Sequence, residues 1–95
     1  QELISVYMTD IPKQLAALRE ALEQKAYDTA IRLSHRIHGA SLNVSAHPMS
    51  AAAKDLENAL SENRQDETAG LLDRMEKALE QLRFHFDAGN QEEST

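Results

Sequence analysis

Apolar residues recur along this chain at steps of three and four, the spacing that lines one face of an α-helix. Leu3, Ile4 and Tyr7 form the first such set, and Ile11, Leu15, Leu18 and Leu22 the second. Ala30, Leu33, Ile37, Ala40, Ser41 and Val44 make a third. Ala52, Ala53, Leu56, Ala59 and Leu60 make a fourth, and Leu71, Leu72, Met75, Ala78, Leu79, Leu82 and Phe86 a fifth. Strand signals are few, because there is no run of β-branched residues and Ala, Leu, Glu and Gln dominate.

The residues between these sets predict where helices begin and end. A short first helix runs from Glu2 to Met8. Asp10 can cap a second, with Pro12 suited to its first turn, and that helix reaches about Gln24. Asp28 can cap a third, which continues to Val44. Ser45-Ala46-His47-Pro48 then breaks the chain, since a residue before proline is pushed out of helical geometry while proline itself suits a helix start. A fourth helix follows from Pro48 to Glu62, a polar turn over Asn63 to Asp66, and a fifth helix to about Asp87. Residues 88–95 have nothing to bury and are expected to form a mobile polar tail. Short connections make successive helices antiparallel neighbours. The expected fold is therefore all-α, an antiparallel up-and-down four-helix bundle with a short additional N-terminal helix as a lid, in one domain over residues 2–87.

Composition narrows the function classes. The chain has 95 residues, no cysteine and a net charge of −6, so it suits one small core, has no disulfide or thiolate metal site, and is a poor general nucleic-acid binder. No apolar run approaches the eighteen or so residues needed to span a bilayer, so no direct membrane contact is expected. There is no Gly-Lys-Ser/Thr phosphate loop and no recognisable acidic metal cluster, so nothing points to ATP binding or to a resident cofactor.

The third helix carries the candidate chemistry. His35 lies two residues from both Leu33 and Ile37, which at about 100° per residue turns it away from that buried stripe. His35, His38, Gly39 and Leu42 then share an outward face. Glycine inside a helix costs about 1 kcal/mol relative to alanine, so Gly39, four residues after His35, asks for a reason. Two are open: clearance for a molecule approaching the imidazole, or tight packing of a neighbouring helix.

From Ser34 to Ala46 there is no acidic residue, while Arg32 and Arg36 flank the histidines, making a locally positive surface on an acidic chain. Ile31 and Leu42 add apolar area beside it. If the third and fourth helices form a hairpin about Ala46, a residue eleven positions before the turn lies level with one eleven after it, which pairs His35 with Glu57. A carboxylate there can accept a hydrogen bond from one ring nitrogen and leave the other free to attack; the alternative is a glutamate that merely faces solvent.

The run His35-Arg36-Ile37-His38-Gly39-Ala40-Ser41, followed by Val44-Ser45-Ala46, resembles the central motif of the histidine-containing phosphotransfer (HPt) domains of multistep two-component signalling. That motif is roughly His-x-Leu/Ile-Lys-Gly-Ser/Ala-Ser/Ala, then a hydrophobic residue, Gly and Ala. Tyr7-Met8-Thr9-Asp10-Ile11-Pro12 is similar to the family's entry into its second helix, and Asp55-Leu56-Glu57 contains its Leu-Glu pair. The resemblance spans about residues 2 to 86. This chain departs at two places: His38 stands where lysine is customary, and Ser45 where the second glycine is.

The resemblance implies a phosphorelay intermediate that takes a phosphoryl group on His35 from a receiver-domain aspartyl-phosphate and passes it to another receiver. Those response-regulator receivers would supply the Mg²⁺, and no autonomous catalytic activity is expected. His38 would stabilise the phosphate when protonated, which ties that stabilisation to pH, since histidine titrates near 6.5. Glu57 would orient His35, and Ile31, Arg32, Arg36, Gly39 and Leu42 would contact the partner. The start at Gln1 and the polar tail suit a C-terminal piece of a hybrid sensor histidine kinase, cytoplasmic in location even where the kinase is membrane-bound. Two rival readings remain: a phosphorylation-incompetent helical interaction module, and a metal-binding bundle using His35 and His38 with His47 or His85.

Overall fold

The computed structural model describes residues 3–86 in full, and beyond them only the helical course of the backbone from Glu2 and to Ser94. The polar tail expected over 88–95 lies outside the fully described residues. Four α-helices follow one another: α1 (Glu2–Glu23), α2 (Tyr27–Asn43), α3 (His47–Ser61) and α4 (Thr68–Ser94), with a 3₁₀ turn at Gln65–Glu67 before α4. Each helix packs on the next and α4 closes against α1, so the chain is an all-α four-helix bundle. Among the described residues no helix is long and apolar enough to cross a membrane.

The separate N-terminal helix is not formed. Glu2 to Glu23 is one continuous helix with Pro12 inside it, and Asp10, expected as a cap, is an exposed residue of that helix about half a turn before the proline. Tyr7, Ile11, Leu15 and Leu18 make an unbroken buried stripe across Pro12. Burying Tyr7 and Ile11 on that stripe recovers about 1.5–3 kcal/mol each, enough to offset the roughly 3 kcal/mol that proline costs in a helix interior. Tertiary burial overrides the local break. Leu3 and Ile4, expected inward with Tyr7, are exposed.

Asp28 is likewise not a cap. The residue before α2 is Ala26, without a side-chain cap bond, and Asp28 sits in the first turn, where a negative charge still complements the helix dipole.

All three helix connections share one device. Lys25, Ser45 and Asn63 have φ near 60°, and each follows a helix end closed by a paired hydrogen-bond pattern. Ala26 N–H donates to Ala21 O at 2.8 Å and Lys25 N–H to Leu22 O at 3.1 Å, with matching pairs at Ala46/Ser41 and Ser45/Leu42, and at Arg64/Ala59 and Asn63/Leu60. This is the Schellman arrangement, whose left-handed residue is ordinarily glycine. The chain turns back sharply each time, and α2 and α3 therefore form a tight hairpin about Ala46.

The core stripe of α2 is rotated from its expected position. Ala30, Ser34, Ile37 and Ser41 are the buried residues, whereas Leu33, Ala40 and Val44 lie only partly buried at its margin. Buried hydroxyls need partners, and both have one: Ser34 Oγ donates to Ala30 O at 2.8 Å, and Ser41 Oγ lies 2.8 Å from the Tyr7 hydroxyl. In α3, Met49, Ser50, Ala52, Ala53, Leu56, Ala59 and Leu60 are buried, and Met75, Ala78 and Leu79 are the buried residues of α4.

Two outcomes follow. Ser45→Gly should stabilise the domain by about 0.5–1 kcal/mol, because glycine adopts positive φ without the steric cost of a Cβ; thermal unfolding should show a midpoint several degrees higher. Burial pushes the Tyr7 hydroxyl above its ordinary pKa of 10.0, with the Ser41 hydrogen bond acting in the opposite, lesser direction. Since the folded state favours the neutral phenol, its contribution is complete below pH 10 and is lost as pH rises through the folded value. Unfolding by urea at pH 9 and 11 should therefore show a fall in stability that Tyr7→Phe reduces.

Candidate functional site

The rotation of the α2 stripe sets the site. With Ser34 and Ser41 buried, the face of α2 turned toward α3 carries His38 and, farther out, His35. On α3, Ser50, Lys54 and Glu57 recur at steps of four and three, which aligns them along one face. Serine and histidine meet near the loop, and glutamate and histidine meet farther from it.

His35 is the exposed member. Its Nδ1 lies 3.1 Å from Glu57 Oε2 and 3.3 Å from Oε1, the pairing expected from counting outward from Ala46. The imidazole side chain is 70% exposed and that of Glu57 only 17%. An ionised carboxylate can only accept, so Nδ1 carries the hydrogen and donates it to Glu57. In the neutral ring the lone pair is then on Nε2. Lys54 Nζ approaches the same carboxylate, 3.8 Å from Glu57 Oε1.

His38 occupies a different environment from that expected. It is half-buried, not outward, because the true centre of the buried stripe lies closer to it than Leu33 and Ile37 suggested. Its Nδ1 lies 3.1 Å from the Ser50 carbonyl and 2.9 Å from Ser50 Oγ. The carbonyl can only accept, so Nδ1–H donates there, and Ser50 Oγ–H turns back to His38 O at 3.4 Å. The ring leans toward the α2–α3 loop, whereas His35 is held farther from it.

The remaining expected residues divide. Gly39 is exposed, and a Cβ added to it would meet nothing within 4 Å. Tight internal packing is thus not its reason. Arg32 and Arg36 are exposed, with Arg32 Nη2 donating to Thr29 Oγ1 at 3.3 Å. Leu42 is 50% exposed, but Ile31 is half-buried against the core and does not share the open face. On the other flank of α2, exposed Leu3 and Val6 of α1 border a shallow groove with Ala40, Asn43 and Val44.

His47 and His85 stand apart from His35 and are exposed, His85 meeting Phe84 edge-on at 5.8 Å between ring centroids. Among the described residues no group of three or more His, Asp or Glu is placed to hold a metal ion. Each residue of Asp55-Leu56-Glu57 faces a different way: Asp55 accepts from Arg74 of α4 at 2.9 Å, Leu56 is fully buried, and Glu57 reaches α2.

An exposed histidine fixed by a carboxylate from the next helix, one turn from a glycine that leaves open space, suits phosphoryl chemistry on a bundle surface. The sequence matches the model of the Hpt domain family over residues 2–85. The chain belongs to the Hpt domain family. Comparison with curated proteins returns no match, nor does comparison with solved structures. Hpt domains carry out histidine phosphotransfer in phosphorelays and interact there with receiver domains. Two contacts of this Hpt domain escaped the sequence reading, Ser50 with His38 and Lys54 with Glu57. The signal for Lys54 was present: it lies eight residues after Ala46 and His38 eight before, so the hairpin count that paired His35 with Glu57 also sets Lys54 level with His38.

Because the space beside Gly39 is open, Gly39→Ala should stabilise the domain by up to about 1 kcal/mol through helix propensity alone. Gly39→Gln should also fold. Urea titrations of both variants check this, and a loss of stability in either would show that the position is confined.

Proposed function

We propose that this Hpt domain accepts a phosphoryl group on His35 Nε2 from a receiver-domain aspartyl-phosphate and delivers it to the aspartate of another receiver. The observation that carries this reading is the bond from His35 Nδ1–H to Glu57, which in the neutral ring puts the lone pair on Nε2, on a side chain that is 70% exposed. In the forward step the Nε2 lone pair attacks phosphorus in line while the bond to the aspartyl oxygen breaks, and the carboxylate remains with the receiver. The ring becomes cationic, and Glu57, already bonded to Nδ1–H, balances the new charge without moving a proton. Return to a receiver is the reverse step.

The Mg²⁺ and acidic pocket that such a transfer needs belong to the receiver. The docking surface includes Gly39, Leu42, Arg32 and Arg36, with half-buried Ile31 at its edge. Gly39 lets the receiver approach the imidazole, and the arginines offer positive charge to an acidic partner on a domain that is otherwise net negative. The exposed Leu3 and Val6 extend the apolar part of that surface toward α1.

Incubation with a phosphorylated receiver and Mg²⁺ should label the domain in acid-labile, base-stable form. His35→Gln should abolish the label while the helical circular dichroism stays unchanged. Labelling retained in that variant, on His38, His47 or His85, would overturn the assignment. Glu57→Ala should slow transfer by about 10- to 100-fold, the range seen when the hydrogen-bond partner of a metal-bound histidine is removed, while Glu57→Gln, which still accepts from Nδ1–H, should lose less.

A further inference from the structure

The motif departs from its family at His38, where a positive charge is customary, and the structure ties that histidine to Ser50 through Nδ1. The counter-charge to a phosphoryl group on His35 therefore needs another source. Lys54 is level with His38 across the α2–α3 hairpin, and its ammonium lies 3.8 Å from Glu57 Oε1, while His35 Nδ1 bonds both oxygens of the same carboxylate. One carboxylate separates the lysine from the nucleophile. The Lys54 side chain is 47% exposed and carries a four-carbon stem, so it can turn from Glu57 toward Nε2 without disturbing the core.

We infer that Lys54, from the neighbouring helix, supplies the positive charge for a phosphoryl group on His35, in place of the residue at position 38. This rests on the reading of His35 as phosphoacceptor. The other charged or titratable groups around the phosphoryl position are Glu57 on α3 and Arg32, Arg36 and His38 on α2. Glu57 is already occupied by Nδ1–H. Arg32 lies about one turn before His35 and Arg36 directly after it, both on the exposed surface of α2, and His38 is held toward the loop by Ser50. Among the described residues, Lys54 is the α3 cation that reaches the carboxylate bonded to His35. A lysine, with an ordinary pKa of about 10.4, also keeps its charge through the range in which a histidine loses it, so the phosphorylated state would not weaken between pH 6 and 8 as a dependence on His38 would require.

The test loads the full chain with phosphoramidate, a small-molecule donor that needs no receiver. Its phosphoryl group moves to His35 Nε2 as the donor's phosphorus–nitrogen bond breaks and ammonia leaves. The ³¹P resonance absent from His35→Gln identifies the phosphohistidine, and its pH titration reports the second ionisation of the phosphoryl group, near 6 in phosphoesters. A nearby cation lowers that value. Lys54→Met should raise it by about half a unit and shift the phosphorylation equilibrium with a receiver against the domain by roughly threefold. Lys54→Arg should behave as the natural protein, His38→Gln should leave the titration in place, and His38→Lys should restore it in the Lys54→Met background. A titration that moves with His38→Gln and not with Lys54→Met overturns the inference, as does one that neither moves. If phosphoramidate loads His35 but a receiver does not, the relay reading fails while the Lys54 comparison still stands. If neither donor loads His35, both fail.

Discussion

The close packing of α2 on α3 is the constraint from which the site follows. The buried residues of α2 are Ala30, Ser34, Ile37 and Ser41, and those of α3 include Ala52, Ala53 and Ala59. Small side chains let two helix axes approach toward the near end of the usual 8–10 Å range. Across this hairpin the short imidazole of His35 reaches Glu57, and His38 reaches the backbone of Ser50. The serine hydroxyls stay inside because each has a partner, Ser34 within its own helix and Ser41 on Tyr7. The Tyr7 bond also holds α1 to the same face.

The polar contacts across this hairpin do little for stability. Exposed ion pairs contribute about 0–1 kcal/mol, and His35 with Glu57, or Lys54 with Glu57, falls in that class. Their consequence is chemical. A carboxylate that accepts from Nδ1–H selects one tautomer of His35, and the tautomer decides which nitrogen can attack. The arrangement leaves the His35 ring exposed and Glu57 largely covered, so a protein approaching this face would meet the first without displacing the second. His38 with Ser50 differs, since a half-buried histidine without a partner would carry the desolvation cost of an unsatisfied nitrogen.

The two departures from the family pattern have separate physical meanings. Ser45 occupies a left-handed backbone position at the end of α2, as Lys25 and Asn63 do at the other two turns. Its cost is local steric strain, and the turn geometry is kept. His38 alters the charge beside the reactive group, and its ring is engaged by α3. The first departure leaves the hairpin register unchanged; the second puts on α2 a ring that bonds to α3.

Hydrophobic spacing determined that the chain is helical and that Leu56, Ile37, Met75 and Leu18 lie inside, and caps, proline and polar runs placed turns after about residues 24, 44 and 62. Period and punctuation are local properties, readable wherever apolar residues outnumber alternatives on one face. The same reading, counted outward from Ala46, brought Glu57 to His35, because antiparallel helices of equal rise keep their register over a few turns. Tertiary structure decided the rest. Pro12 and Asp10 read as a helix boundary, yet burial of Tyr7 and Ile11 carried α1 through them. Ser34 reads as polar, yet its bond to Ala30 allows it to be buried in line with Ser41, and that burial rotates α2 so that His38 turns inward and Ile31 leaves the open face. A few tens of degrees of helix rotation is below what a pattern of residue types can resolve, because it depends on which hydroxyl finds a partner in a neighbouring helix.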